Sequence, residues 1–221
     1  MTQIKYGIFN YLIADNEAVL GTVNKTVIMD TSRDANAFND TSQTNIRVEI
    51  PPSIFYNNKY YLVKRVGVCA FRQSKIISAK IGKFVVEFQF RAFDWCRNLE
   101  KIEFDPESLL TSIDTSFAVS TLIEEIHFPP FLSYISTAAF TYSSKLKSIY
   151  FGGDDMDCRS NYYSNTTLSI FVLPNFINTT FCNHSVTVLA KFPDPIIKSC
   201  FVKPQCTNYL SNIHVFILLL S

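Results

Sequence analysis

The sequence predicts a solenoid of stacked, strand-dominated coils with little helix, and two recurring patterns carry this prediction. A small residue followed by phenylalanine recurs at spacings of 22, 24 and 23 residues. An apolar pattern, Leu/Ile-x-x-Ile-x-Phe, follows three of these pairs at 99–104, 123–128 and 146–151, with a weaker version at 76–81. A period of roughly 20 to 29 residues with this apolar core is typical of leucine-rich repeats. The predicted fold class is therefore a leucine-rich repeat solenoid of the α/β horseshoe class. The four pairs are Ala70-Phe71, Ala92-Phe93, Ser116-Phe117 and Ala139-Phe140.

Each coil is predicted to contain one main strand, a turn at Pro or Gly, a second short extended piece such as 132–135, and a tight bend at the phenylalanine. Stacked coils should place equivalent strands about 4.8 Å apart in one parallel sheet, with Ile126 between Ile102 and Ile149. The four bend phenylalanines should form a buried column. Because stacked coils create extended surfaces, such arrays usually bind partners rather than catalyse reactions.

The coils occupy only the middle of the chain, and their open ends require caps. Residues 1–65 are predicted to form an N-terminal cap, with a hairpin around Asp15 and a first incomplete coil whose strand at 46–52 ends in Pro51-Pro52. The regular repeats span 66–151. Residues 152–192 should form a C-terminal cap with strands at 168–174 and 186–189, and 193–221 is a tail without an assigned structure.

Composition excludes several classes of function. The 221 residues are 48% hydrophobic and 18% charged, with a net charge of +1. This balance indicates a folded chain and gives no basis for binding nucleic acid or an acidic membrane surface. The sequence has no phosphate-binding loop, zinc-protease motif or nucleophile elbow. We therefore expect a non-catalytic protein without a cofactor.

The cysteines and acidic residues leave a few alternatives for disulfide and metal chemistry. Cys69 and Cys96 lie within repeat signatures and are predicted to be buried, unpaired thiols. A capping disulfide in an oxidising compartment, or a zinc site that includes His184, is conceivable among the later cysteines. The carboxylates of 152–157 lack the spacing of a calcium loop and suggest an exposed turn, so no metal site is predicted. The later cysteines are Cys158, Cys182, Cys200 and Cys206.

The two ends of the chain carry apolar stretches that are short for membrane segments. The stretch at 8–14 is interrupted by Asn10 and fits a hairpin strand better than a signal peptide. The stretch at 213–220 is shorter than the roughly 20 residues of a membrane span, which favours a terminal strand or short helix over a truncated anchor. Glycosylation sequons matter only in a secreted protein. They begin at Asn24, Asn39, Asn165, Asn178 and Asn183.

The segments 88–104 and 135–149 resemble the BspA-like leucine-rich repeats, whose unit is roughly I-x-x-x-A-F-x-x-C-x-x-L-x-x-I-x-I-P. Cys96 stands at the family's cysteine position, and Ser143 takes that position in the later copy. The resemblance covers 46–151 well. It implies an adhesin-type surface protein of bacteria or protozoa that binds a protein or glycan ligand on host matrix or another cell. Without a recognisable signal peptide, a cytoplasmic location is the alternative.

The outward side chains of the main strands form the candidate ligand-binding face. Residues alternate between inside and outside along a strand, so Ile102 and Phe104 point inward and their neighbours outward. Lys101 should lie beside Glu125, and Glu103 beside a solvated His127. An exposed Tyr150 would be the principal anchor. The alternatives to this binding module are an intracellular scaffold with the same fold and an enzyme with an unrecognised site. The predicted face comprises Ser78, Lys80, Lys101, Glu103, Glu125, His127, Ser148 and Tyr150.

Overall fold

The computed structural model describes residues 2–21, 37–38, 44–159 and 168–193, and within them every regular element is a β-strand. The strands stack into a solenoid, which confirms the predicted fold class. In chain order they are β1 Thr2–Tyr6, β2 Phe9–Ala14, β3 Glu17–Leu20, β4 Arg47–Ile50, β5 Ser53–Tyr56, β6 Lys59–Val66, β7 Ser78–Ile81, β8 Glu87–Phe88, β9 Lys101–Phe104, β10 Ser112–Ile113, β11 Glu125–Phe128, β12 Tyr134–Ile135, β13 Ser148–Phe151, β14 Asp157–Cys158, β15 Ser169–Val172, β16 Thr180–Phe181 and β17 His184–Val188.

The main parallel sheet consists of two blocks. Strands β4, β7 and β9 form the first block, and β11, β13, β15 and β17 form the parallel part of the second. Within the second block Ile126 pairs with Ile149, as predicted. The described residues show no strand ladder between β9 and β11, so Ile126 has no such pairing with Ile102. The coils remain adjacent there, since the Leu122 N–H donates to the Leu99 carbonyl at 2.9 Å.

A second sheet runs along another side of the solenoid. It begins with the antiparallel meander of β1, β2 and β3 and continues through β6 into the short parallel strands β8, β10, β12 and β14. The predicted hairpin turn is present between β2 and β3, with Asp15 at φ 52°. The extra residues before the first bend form a second hairpin, β5–β6, whose turn residues Asn57 and Asn58 both have positive φ. Asparagine tolerates that conformation better than most residues.

The four bend phenylalanines form the predicted buried column. Phe71, Phe93 and Phe117 are completely buried, and Phe140 is nearly so. Consecutive ring centroids lie 5.0, 5.6 and 5.8 Å apart. The first pair is stacked with an interplanar angle of 4°, whereas the next two pairs meet at 90° and 85°. The change in ring orientation begins at Phe117.

The backbone of the bends explains this change. The central residue of each bend lies midway between two residues of positive φ, and it is phenylalanine in three bends. In the third bend the positive-φ residues are Ser116 and Ser120, so the central residue is Ala118 and Phe117 precedes it. The order of the pair is reversed, and bend centres are spaced 22, 25 and 22 residues apart. Phe117 therefore enters the column from a neighbouring Cα, which turns its ring. The other flanking pairs are Cys69 and Gln73, Arg91 and Trp95, and Ala138 and Tyr142.

The cysteines follow the prediction where the structure describes them. Cys69 and Cys96 are buried free thiols, and Cys158 and Cys182 form a disulfide between neighbouring coils. The zinc alternative was wrong, because Cys182 is committed to this disulfide. The described residues contain no group of three or more side chains suited to hold a metal ion. Cys200 and Cys206 lie outside the described residues.

The acidic turn at 152–157 is packed more closely than predicted. Gly152 and Gly153 are buried, and a Cβ at Gly153 would lie 2.6 Å from the carbonyl oxygen of Pro130. The next coil forms a hydrogen bond with the acidic turn, since Asn175 Nδ2 donates to Asp154 Oδ1 at 2.7 Å. This turn is therefore a structural joint between coils rather than a freely solvated loop.

Two further groups of sequence predictions lie outside the described residues: the apolar stretch at 213–220 and the sequons at Asn24, Asn39 and Asn165. Of the described residues, none belongs to a helix with the length and hydropathy that a membrane crossing requires.

Candidate binding face

The outer face of the main sheet follows from strict alternation along each strand. Residues Ile102 and Phe104 of β9 are buried, and Lys101 and Glu103, which alternate with them, are exposed. The same alternation holds in β7, β11 and β13. All eight predicted residues therefore lie on the outer face, but they differ in exposure. Exposed are Lys80, Lys101, Glu103 and Glu125; half-buried are Ser78, His127, Ser148 and Tyr150.

The first block of the sheet carries a solvent-exposed patch of mixed charge. Lys80 Nζ lies 3.0 Å from Glu49 Oε1 on the adjacent strand, and this hydrogen bond raises the pKa of Lys80. Lys101 Nζ lies 2.7 Å from Glu103 Oε1 of its own strand. Exposed pairs of this kind contribute little to stability, because solvent screens the attraction between the charges. These charges are therefore available to exchange their partners for those of a ligand.

The second block carries a ladder of aromatic rings. The rings of His127 and Tyr150 are stacked with centroids 4.3 Å apart, and those of Tyr150 and Phe171 are 4.9 Å apart. These distances are close to the spacing of adjacent strands, so equivalent rings on successive coils stack without side-chain strain. Phe192 lies edge-on against Tyr150, with centroids 5.6 Å apart. Tyr150 is half-buried rather than exposed as predicted, because rings contact it from three directions.

His127 is also more enclosed than predicted. Its side chain is 19% exposed, and its Nε2 lies 3.2 Å from Glu125 Oε1. Burial lowers the pKa of His127, and the contact with Glu125 opposes that effect. Within the described residues its Nδ1 is buried without a hydrogen-bond partner. Lys101 and Glu125 were predicted to be neighbours, as were Glu103 and His127. Lys101 instead pairs with Glu103 and His127 with Glu125, each within one strand, because β9 and β11 do not form a ladder.

Three further side chains belong to this face. Arg47 and Glu49 lie on β4, and Phe171 lies on β15. The alternating pattern of the strands predicted at 46–52 and 168–174 could have identified them. Phe192 had no signal in the sequence, because its position depends on the chain folding back over an earlier coil.

Stacked strand–bend coils with an inner phenylalanine column define a leucine-rich repeat protein. The family model described as the BspA type leucine rich repeat region matches residues 64–187, in six copies. Since this match covers more than half of the sequence, the chain belongs to the BspA-type leucine-rich repeat family. The match extends through β15 and into β17, beyond the four bends that the sequence pattern identified.

Two solved structures of bacterial proteins align with this chain. The pneumococcal vaccine antigen PcpA is 20% identical with a TM-score of 0.54, and the alignment covers 86% of this chain and 50% of PcpA. This chain therefore spans about half the length of PcpA, and the likeness supports the fold. A leucine-rich repeat protein from Bacteroides capillosus is 16% identical with a TM-score of 0.46, and the alignment covers 78% and 99% of the two chains. A comparison with curated proteins finds no match.

Proposed function

We propose that this chain is a non-catalytic binding protein of adhesin type, whose ligand contacts the charged patch of the first block together with Glu125 on β11, the first strand of the second block. The observation that carries the proposal is a set of four charged side chains on strands β7, β9 and β11, all more than half exposed. Lys80, Lys101, Glu103 and Glu125 have exposed side-chain fractions of 59%, 63%, 52% and 59%. Membership of the BspA-type family supports a role in interaction, because proteins with this fold use extended surfaces to bind.

A protein ligand fits this patch better than a polyanion. Two cations and two anions alternate over neighbouring positions, and such a pattern selects a partner with complementary charges. A nucleic acid or a sulfated polymer would instead require one predominant sign of charge. On the basis of the family, we propose that the protein partner belongs to host matrix or to another cell. A neutral glycan is the alternative ligand.

The disulfide between Cys158 and Cys182 supports a location outside the cytosol. Structural disulfides persist in oxidising compartments and are rare in reducing ones. This observation favours a secreted or surface-exposed protein over an intracellular scaffold. Labelling intact cells with a membrane-impermeant reagent tests the location directly, and exclusive labelling after cell lysis would contradict it.

Alanine substitutions on two surfaces test the binding face. Lys80, Lys101 and Glu125 are replaced together, and a matched variant replaces Lys83, Glu107 and Lys145, which lie outside this face and carry the same set of charges. We expect the first variant to lose most of its binding to intact cells or matrix proteins, with an unchanged unfolding midpoint. Equal loss in both variants would remove the sheet face from the proposal.

A further inference from the structure

The bends carry a second candidate site on a different side of the solenoid. Gln73 and Trp95 occupy equivalent positions of the first two bends, and both have a φ of 59°. Large aromatic residues rarely adopt this left-handed conformation, because their Cβ crowds the backbone. Burial does not compensate for the strain, since Trp95 is 41% exposed. The same position has positive φ in all four bends, so the backbone of the bend sets this conformation and leaves the indole exposed to solvent.

Trp95 forms one wall of a groove between the two bends. The groove has a volume of about 400 Å³. This value lies at the lower end of the roughly 300–1,000 Å³ that is typical of small-molecule sites. A ligand of one or two sugar rings suits that size. The lining residues are Gln73, Ser74, Lys75, Trp95, Arg97 and Asn98.

Backbone hydrogen bonds fix the main chain at the two principal residues of the groove. The Trp95 N–H donates to the Val119 carbonyl at 2.8 Å, and the Arg97 N–H donates to the Trp95 carbonyl at 2.9 Å. The Arg97 guanidinium lies 4.8 Å from the centroid of the Trp95 ring. A cation in this position is attracted to the face of the ring. The indole and the guanidinium are thus arranged before any ligand binds.

The groove is positively charged. Lys75 and Arg97 contribute two cations, no lining residue is a carboxylate, and neither cation has an ion-pair partner among the described residues. The nearby Asp94 does not offset this charge, because its buried carboxylate already pairs with two other arginines. Its Oδ2 lies 3.1 Å from Arg72 Nε and 3.6 Å from Arg91 Nε. An anionic group that enters the groove would therefore meet uncompensated positive charge.

We propose that this groove binds a carboxylate-bearing sugar, such as a uronic acid or a sialic acid. The guanidinium of Arg97 can hold a carboxylate through two parallel hydrogen bonds, and Lys75 adds a second positive charge. The side-chain amides of Gln73 and Asn98 supply donors and acceptors for ring hydroxyls. The site is independent of the charged patch on the main sheet.

The sequence contains a single tryptophan, so the fluorescence of the native protein reports on this groove. The protein is titrated with glucuronate, N-acetylneuraminate, neutral glucose and tetraglutamate. We expect a saturable change with at least one acidic sugar, at concentrations at least tenfold lower than with glucose or tetraglutamate. No saturable response to either acidic sugar, an equal response to glucose, or tighter binding of tetraglutamate would overturn the proposal.

Variants with matched controls connect the signal to the groove, and ligand-observed NMR measures binding independently of the indole. Arg97→Gln and Trp95→Ala should each weaken acidic-sugar binding at least tenfold. Lys147→Gln removes an exposed cation elsewhere, and Tyr142→Ala removes the exposed aromatic residue at the equivalent position of the fourth bend. Both controls should retain binding. Unchanged affinity in Arg97→Gln, with the fold intact, would also overturn the proposal.

Discussion

A thiol and a hydroxyl perform the same structural task at Cys96 and Ser143. The Cys96 Sγ donates to the Phe71 carbonyl at 2.8 Å, and the Ser143 Oγ donates to the Ala118 carbonyl at 2.8 Å. Both acceptors lie in the bend of the preceding coil, 25 residues earlier. Burial raises the pKa of the Cys96 thiol to about 12, so it stays protonated and remains a donor. The position therefore requires a small buried donor, and either side chain provides one.

This equivalence leads to a prediction for Ser143. Its Oγ also accepts a hydrogen bond from the Thr121 N–H at 3.1 Å, so Ser143→Ala leaves that buried amide without this acceptor. We expect a loss of about 1–3 kcal/mol in the free energy of unfolding. Ser143→Cys should lose less, because the thiol at Cys96 already donates in the same environment. Urea unfolding measures both variants, and Ser144→Ala at the exposed neighbouring position is the control. A cysteine variant as unstable as the alanine variant would contradict the equivalence.

At the scale of the bend, the backbone and the side chains follow different registers in the third coil. Phe93 N–H donates to the Phe117 carbonyl at 2.8 Å, and the next pair of bends is joined by Ala118 N–H to the Ala139 carbonyl at 2.8 Å. Reversing the order of Phe117 and Ala118 accommodates the longer spacing of this coil and keeps one phenylalanine ring in the column. The core thus tolerates an insertion because ring volume, rather than the identity of the central residue, is maintained.

An exchange of the two residues tests this interpretation. Phe117→Ala alone should cost about 3–5 kcal/mol, because it leaves a cavity in a fully buried column. The double variant Phe117→Ala/Ala118→Phe places the ring at the central position, as in the other three bends. We expect it to recover at least half of that loss, as measured by chemical denaturation. If the double variant is no more stable than Phe117→Ala, the register assigned to the third bend is incorrect.

The sequence could predict those features that follow from the repeat period and from alternation along a strand. The column at Phe71, Phe93, Phe117 and Phe140 and the alternation of the main strands were predictable, because stacking forces equivalent residues into equivalent places. The reversal at Ala118 was not, because a pattern aligned on phenylalanine hides a one-residue shift of the backbone. The enclosure of Tyr150 depends on Phe192, a contact between distant parts of the chain that no repeat period encodes.

At the scale of the whole molecule, the gap in the main sheet coincides with a change in the chemistry of its outer face. Block β4–β7–β9 presents the exposed ion pairs, and the block that begins at β11 presents the aromatic ladder. The first block can offer its side chains to a ligand, whereas the rings of the second block are used to stabilise successive coils. The same sheet thus divides into a candidate binding region and a region stabilised by its own side chains.

The disulfide joins β14 of the second sheet to the turn between β16 and β17, and it gives a prediction about how stability is distributed along the solenoid. Cys158 and Cys182 are 24 residues apart, so their bond closes a loop around β15. Closing a loop of this size typically stabilises a fold by about 2–4 kcal/mol, because it restricts the unfolded chain. Each coil of a solenoid contacts only its neighbours, so the effect should be concentrated in the adjacent strands.

We therefore expect the double variant Cys158→Ser/Cys182→Ser to open locally before the molecule unfolds. Hydrogen exchange should accelerate in β15 and β17, while β7 and β9, which lie several coils away, keep their protection. Wild-type protein treated with a reductant should show the same pattern, which separates loss of the bond from any effect of the new serine side chains. A uniform acceleration along the whole solenoid would show that the coils unfold as one cooperative unit. No change in β15 and β17 would show that the ring contacts of Tyr150 with Phe171 and Phe192 are sufficient to hold the last coils without the covalent link.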